Sequence, residues 1–455
     1  MSLSDIASAV GGQVVDARHK AVTVTGPVVI DSRQARPGSL FVALPGTRSD
    51  GHEHAADALA AEAAAVLAER PVPGPAVVVP DTRAALAALA GSHRRRLTEC
   101  AVVGITGSAG KTTTKDLLAQ ILARRSPTVA NRLSYNNEIG LPLTVLEAST
   151  ATRYLVVEMG ARARGEIAHL AALARPRVGV ITNTGTAHLG PFGGRIGIRR
   201  AKAELLAALA ADGAAVLNAD DPATADMLRA TRAGTVLTFG TRHADLLVTD
   251  VELDDLARPA FRLTIGGHSE PVCLSLTGAH QVANAAAAAA AAIALGLPLP
   301  EIAHGLTAAR RLTPSRMQIT RLPGGGLVLN DAFNANPDAM EAALATLAAI
   351  ADGSRRAIAV LGEMRELGAE SPALHQRLGR TAAEAGTGLV IAVGGADAAR
   401  IAAGARRAGG KAVHVPTVDA VLAVLGEPGP LDVILVKGSR ATGVEQIARA
   451  LSTDT

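Results

Sequence analysis

An apolar run that breaks directly into a glycine-rich loop and then a helical pattern constrains this chain most. In CAVVGITGSAGKTTTK, residues 100–115, the strand-like AVVGIT is followed by Gly107-Ser-Ala-Gly110 and then by Lys111-Thr112-Thr113. Strand, tight loop and helix in that order place backbone N–H groups and a helix N-terminus around one anion. Gly107 and Gly110 let the backbone curl, Lys111 adds a compact charge for terminal phosphates, and Thr112 offers a hydroxyl to Mg²⁺. Thr106, Ser108, Ala109 and Thr113 complete the expected cradle. Ile105 stands where the full G-x-x-x-x-G-K-[ST] pattern has its first glycine, so the match is partial.

The same alternation recurs along the chain. YLVVEM precedes GEIAHLAALA, VGVITN precedes KAELLAALA, and AAVLN precedes PATADMLRA; later RAIAVLGEM, GLVIAVGG, KAVHVP and DVILVKGS read as strands. Strands alternating with amphipathic helices predict an α/β protein of mostly parallel sheets, with ligands at the carboxyl ends of the strands. At 455 residues the chain is long enough for three domains. Composition shifts place the boundaries to give 1–97, 98–312 and 313–455: a small α/β domain, a central phosphate-loop domain and a C-terminal domain with a Rossmann-like sheet. Hydrophobic residues make up 48% but aromatics only 2%, so the cores must be built from Ala, Leu, Val and Ile. The tract from Ala285 to Leu295 reads as a buried helix stopped by Gly296 and Pro298.

Several classes are disfavoured. Cys100 and Cys273, both flanked by apolar residues, read as reduced, buried thiols in a cytoplasmic protein rather than a disulfide framework. The N-terminus lacks the basic start and apolar core of a leader, and no charge-free apolar run reaches about 18 residues, so neither export nor membrane insertion is expected. A net charge of +4 is too small to point to nucleic acid, and His93-Arg94-Arg95-Arg96 reads as a solvated helix end.

Lysine is rare. Lys20, Lys111, Lys115, Lys202, Lys411 and Lys437 are six among 45 basic residues, so arginine carries the ordinary surface charge. An amine is needed where a group must be compact or able to lose its proton, which singles out Lys111 and Lys202. Lys202 could be a surface helix lysine, or a neutral amine that captures CO₂ as a carbamate and becomes an anionic metal ligand. Glu158 ends one strand and Asn183, followed by Gly-Thr-Ala-His188, ends another; a carboxylate and an imidazole there suit Mg²⁺ beside phosphate. Arg316 and the turn Asn330-Asp331-Ala-Phe-Asn334-Ala-Asn336-Pro337 offer a cation, a carboxylate and amides for phosphate, ribose or peptide groups.

Taken together these strings resemble the ATP-dependent Mur ligases, and within them the member that adds D-alanyl-D-alanine. The likeness runs the whole chain, from DSRQARPGSLFVALPGTRSDGH through TGSAGKTTTK, YNNEIGLPLTVL, EMGARARGEI, TNTGTAHL, AKAEL and LNADDP to NDAFNANPDAM, VLGEMRELGAES and LVKGSR. The resemblance implies three domains and a cytoplasmic, monomeric enzyme of peptidoglycan-precursor synthesis. ATP would activate the terminal carboxylate of UDP-N-acetylmuramoyl-tripeptide as an acyl phosphate, which the amine of D-Ala-D-Ala attacks. It implies that Lys111 holds the γ-phosphate, Thr112 and Glu158 one Mg²⁺, and His188 with carbamylated Lys202 a second. Asn284 would meet adenine, with Arg316 and Asp331 closing on ATP. Ser32 and Arg33 would face the uridine nucleotide, and Asn136, Asn137, Asn334 and Asn336 the peptide. The chain departs from the pattern at Gln281, where asparagine is usual, at Phe333, where tyrosine is common, and at Gly190 and Gly194, which replace an acid and a serine.

A folylpolyglutamate or cyanophycin-type ligase would lack the DSR…LFVAL segment. A GTPase would carry a guanine-reading Asn-Lys-x-Asp, and no Asn-Lys pair occurs in the sequence.

Overall fold

A computed structural model describes residues 1–47, 49–310 and 313–453. Arg48, within the segment read as nucleotide-binding, lies outside the described residues, as do Arg311 and Leu312 at the expected second domain boundary. The chain forms an α/β structure with three sheet-bearing regions, and it divides into two compact units.

The first unit comprises Met1–Gly104, Arg125–Ala161 and Glu166–Arg177. Its strands β1 (Gln13–Val14), β2 (Val28–Val29), β3 (Leu40–Val42), β4 (Ala65–Ala68) and β5 (Ala76–Val78) form a sheet in the order β1-β5-β4-β3-β2. All its pairings are parallel except β1 with β5. Alternation along β3 and β4 sends Leu40, Val42 and Leu67 into one core and Phe41, Val66 and Ala68 into another. A sheet buried on both faces explains why these strands read as continuous apolar runs. Strand β6 (Ala101–Thr106) leads to the phosphate loop, and β7 (Thr128–Ala130) pairs in parallel with β8 (Tyr154–Glu158). Helix Thr82–Arg96 starts on Asp81, whose side chain accepts from the N–H groups of Arg83 and Ala84 at 2.8 and 3.0 Å. Its basic end is not merely solvated. The His93 ring meets the Ala148 carbonyl at 2.7 Å, and Arg94 Nε donates to the Ala174 carbonyl at 2.9 Å.

The second unit comprises Ile105–Arg124, Arg162–Gly165 and Val178–Thr455, of which 311, 312, 454 and 455 are not described. Strands β9 (Val178–Ile181), β10 (Ala214–Asn218), β11 (Thr235–Gly240) and β12 (Leu246–Leu253) pair in parallel. Strands β13 (Pro259–Ile265) and β14 (His268–Cys273) extend them antiparallel. Cys273 ends that edge strand and is exposed, whereas Cys100 is buried. Apolar neighbours misled because alternate residues of an edge strand face opposite ways. The helix Gln281–Ala294 buries every alanine from Ala285 to Ala292 and packs on helix Lys111–Ala123 and on β9–β11. Methyl side chains let it approach closely.

Strands β15 (Gln318–Arg321), β16 (Leu327–Asn330), β17 (Arg356–Gly362), β18 (Leu389–Val393), β19 (Ala412–Val415) and β20 (Asp432–Lys437) form a sheet ordered β15-β16-β20-β17-β18-β19. Only β15 is antiparallel. The register sets Asn330 beside Val436 and Leu361 beside Lys437, which brings the chain after β16, β17 and β20 to one sheet edge. Among the described residues no helix is long and apolar enough to cross a membrane.

Candidate active site

The phosphate loop is fixed by the strand end beside it. Thr182 N–H donates to the Thr106 carbonyl at 3.0 Å, and Thr182 Oγ1 donates to the Ala109 carbonyl at 2.6 Å. Asn183 Oδ1 accepts from the N–H groups of Ser108 and Ala109 at 3.2 and 2.9 Å. Two of the amides expected to face an anion are therefore committed to Asn183. Gly110 and the first turn of helix Lys111–Ala123 add further N–H groups to the same loop, at a helix N-terminus that suits an anion. Glycine is required at 110: φ is 81°, and a Cβ would lie 2.0 Å from Asn284 Oδ1. Lys111 Nζ donates to the Gly107 carbonyl at 2.7 Å, over the loop it was expected to serve.

Thr112 is buried, and its hydroxyl accepts from Arg316 Nη2 at 3.1 Å. The Arg316 guanidinium stacks 4.2 Å over the Phe333 ring, and Arg440 lies 6.0 Å from the same ring. A phenyl face in place of a phenol thus still receives a cation. Among the described residues, Ser108 Oγ and Arg316 Nε are buried without a hydrogen-bond partner. Burying such donors unpaired is costly, so an anionic ligand at the loop fits them. Beside the helix a narrow cleft is lined by Thr113, Asp116, Leu117, Gln281, Thr313 and Arg316, among others. Asn284 is buried at the loop and donates to Gln281 Oε1 at 2.8 Å, so Gln281 serves as its partner.

Lys202 lies on helix Arg195–Ala207 and is only 6% exposed. Burial, reinforced by the charge of Lys111, pushes its ammonium well below the ordinary lysine range against the pull of Asp221. It is not a surface lysine. An amine held neutral is the form that adds CO₂, so the site fits carbamate formation. His188 adopts a left-handed conformation at φ 61°, and its Nδ1 is tightly hydrogen-bonded to Glu366 Oε2. Burial holds its imidazole below the usual histidine value; Glu366 opposes this, while Lys111 and Lys202 add to it. A neutral imidazole is the metal-binding form. Arg162 also pairs with Glu366, at 3.1 Å.

Asp331 is not open to solvent. Its Oδ2 lies 2.5 Å from Lys437 Nζ in a pair whose side chains are 13% and 3% exposed, and its Oδ1 accepts from Met317 N–H at 3.1 Å. Lys437 also donates to the Asn334 carbonyl at 3.0 Å, which ties the asparagine-rich turn together. Asn334 itself is exposed. Asn336 is buried and caps helix Pro337–Ala351 by accepting from Ala339 N–H at 2.9 Å. Two carboxylates that sequence reasoning did not assign hold the loop after β9: Asp221 takes Thr184 and Asp338 takes Thr186.

In the first unit Glu158 is buried at the end of β8, where its Oε1 accepts from Asn136 Nδ2 at 2.6 Å. Asn137 Oδ1 accepts from Gly140 N–H at 3.0 Å, at the start of helix Gly140–Glu147. Ser32 and Arg33 stand on a 3₁₀ turn, with Arg33 paired to Asp31 at 2.7 Å and its side chain exposed. Among the described residues no group of three or more His, Cys, Asp or Glu side chains could hold a metal alone. A Mg²⁺ here would take much of its shell from phosphate and water, as that ion commonly does.

Three models of one family match the chain: "Mur ligase family, catalytic domain" over residues 27–94, "Mur ligase middle domain" over 105–292, and "Mur ligase, glutamate ligase domain" over 315–440. The UDP-N-acetylmuramoyl-tripeptide–D-alanyl-D-alanine ligase of Mycobacterium bovis is 44% identical, covering 100% of this chain and 98% of its own length. The Escherichia coli K12 enzyme of the same name is 35% identical, covering 93% of each chain. A crystal structure of MurF from Acinetobacter baumannii superposes with a TM-score of 0.86 at 33% identity, covering 99% of this chain and 98% of that one. MurF ligase from Thermotoga maritima in complex with ADP gives 0.80 at 28% identity, covering 95% and 98%. On whole-length likeness, a phosphate loop of the expected build and a buried amine-type lysine beside it, the chain belongs to the Mur ligase family.

Proposed function

We propose that this protein joins D-Ala-D-Ala to UDP-N-acetylmuramoyl-tripeptide with ATP, in the cytoplasm, as a monomer and as a step of peptidoglycan-precursor synthesis. The observation that carries this reading is the convergence, within one unit, of the phosphate loop, His188, the buried Lys202 and Arg316 on Thr112. The names of the full-length relatives supply the substrates.

A carboxylate is a poor electrophile. Transfer of the γ-phosphoryl group to the tripeptide's terminal carboxylate gives an acyl phosphate and ADP. The dipeptide amine then attacks the acyl carbon, loses a proton and expels phosphate, leaving an amide. Most of the acceleration in such a transfer comes from positioning and charge neutralisation. Lys111 and Arg316 bring positive charge to the phosphates, and the helix N-terminus after Gly110 adds its dipole. Mg²⁺ would neutralise and orient phosphate oxygens; the second unit offers Thr112, His188 and carbamylated Lys202 as donors, in two sites, and Glu158 is the donor of the first unit. Asn136 would aim that carboxylate. We assign Ser32 and Arg33 to the uridine nucleotide and Asn136, Asn137, Asn334 and Asn336 to the peptide; Asn136 and Asn336 also fix local structure, by holding Glu158 and by capping helix Pro337–Ala351. We assign 1–97, 98–312 and 313–455 to nucleotide-substrate, ATP-binding and closing domains.

The test is the mass of the nucleotide substrate after incubation with the protein, ATP, Mg²⁺ and D-Ala-D-Ala. A gain matching one dipeptide less water supports the reading, and an unchanged mass with ATP still bound overturns it.

A further inference from the structure

The loop after β9 meets three parts of the candidate site. Asn183 at its start holds the phosphate loop, and His188 at its end is the imidazole assigned to metal. Between them Thr184 donates through its N–H and Oγ1 to Asp221, from 2.6 to 2.9 Å. Thr186 N–H and Oγ1 both donate to Asp338 Oδ2, at 2.6 and 2.9 Å. Asp221 follows β10, next to β9 in the sheet. Asp338 comes from 152 residues further on, in the first turn of helix Pro337–Ala351. Thr184 and Thr186 are buried, while Asp221 and Asp338 are half-buried. Gly185 completes the fit, because a Cβ there would stand 2.1 Å from Asp338 Oδ2.

We propose that Asp338 is a positioning residue that locks the His188 loop, so that the imidazole is correctly aimed only when helix Pro337–Ala351 is docked against it. The inference rests on the ligase reading for its kinetic consequence but not for its structural one. One oxygen accepts both bonds, so geometry rather than charge is what the loop requires. An asparagine can present a carbonyl oxygen to the same two donors. Alanine cannot, and it leaves the buried Thr186 N–H without its acceptor. A loop freed by even an ångström misplaces a ligand enough to slow chemistry severely.

The experiment uses the full chain and compares Asp338→Ala, Asp338→Asn, Gly185→Ala and the double variant Gly185→Ala/Asp338→Ala. Amide hydrogen exchange is followed at Thr184 and Thr186 without ligands, and kcat and KM are measured with ATP, Mg²⁺ and both substrates. We expect Asp338→Ala and Gly185→Ala to speed exchange at Thr186 and to lower kcat about tenfold or more, with KM for ATP within about threefold. Asp338→Asn should stay within about threefold of the parent in both readouts. The double variant should be no worse than Gly185→Ala, since both changes remove one interaction. Equal loss in Asp338→Asn and Asp338→Ala would assign the role to charge and overturn the proposal, as would unchanged exchange in Asp338→Ala or multiplicative defects. A parent protein that ligates nothing refutes the ligase reading alone, because the exchange pattern still decides the lock.

Discussion

Arg316 Nη2 donates to Thr112 Oγ1 at 3.1 Å across 204 residues of sequence, while the same guanidinium sits 4.2 Å over the centre of the Phe333 ring. A planar, permanently charged group is thus held over the phosphate loop by a ring on one side and a hydroxyl on the other. Lysine could match the charge but neither the stacking nor the fork. Arg316→Ala should raise KM for ATP roughly tenfold to a hundredfold, the scale of a lost charge-assisted hydrogen bond, with Arg316→Lys recovering only part. Steady-state ATP titrations check this; an unchanged KM would remove Arg316 from the nucleotide site.

The buried Lys202 makes a statement about pH. Its folded-state pKa lies well below the ordinary lysine value, so between that lowered value and about 10.4 the unfolded chain carries a proton that the folded chain lacks. Stability therefore gains from this residue as pH rises through that window, and below the lowered value the contribution is flat. In CO₂-free buffer the parent should gain melting temperature from neutral pH towards pH 10 relative to Lys202→Met. Parallel melting curves for the two proteins would contradict a deprotonated amine. Lys202→Arg should abolish ligation without restoration by bicarbonate, because a guanidinium forms no carbamate.

Asp331 and Lys437 form a buried ion pair that also fastens the turn carrying Phe333 and Asn334. Removing one partner strands the other in a poorly solvated place. Asp331→Ala should destabilise the protein by about 3–5 kcal/mol in urea unfolding, whereas Asp331→Leu/Lys437→Met should regain much of that loss. If the double variant is no more stable than the single one, the turn needs the charges themselves.

Asn136 donates to Glu158 Oε1 at 2.6 Å, which holds the buried carboxylate in one orientation. Asn136→Ala should raise the Mg²⁺ concentration for half-maximal activity about tenfold to a hundredfold, the usual effect of losing a ligand's outer partner. An unchanged Mg²⁺ requirement would make this amide a packing residue only.

Much of this architecture was legible because it is local. The strand, loop and helix around Gly107 and Gly110 follow from one continuous stretch, residues 100–115, and the alanine helix from a run bounded by Gly296 and Pro298. Lys202 stood out because lysine is scarce. What could not be read is what depends on distant partners. Nothing near Asn183 says that it binds Ser108 and Ala109, 75 and 74 residues earlier, and nothing near Asp338 says that it reaches Thr186. The asparagines illustrate the same limit: Asn137 and Asn336 read as substrate contacts, and the sequence did not show that Asn137 also accepts from Gly140 N–H or that Asn336 also caps helix Pro337–Ala351, a task asparagine suits equally well. Cys273 read as buried from its neighbours, but edge position and strand alternation decide its exposure.

The most direct test is phosphate release by the purified protein with ATP and Mg²⁺, comparing both substrates present against UDP-N-acetylmuramoyl-tripeptide or D-Ala-D-Ala omitted in turn. Activation of a carboxylate followed by amine attack predicts sustained release only when both are present, one phosphate per amide formed, and its loss in Lys111→Ala. Sustained release that ignores D-Ala-D-Ala, or that survives Lys111→Ala, would contradict the account.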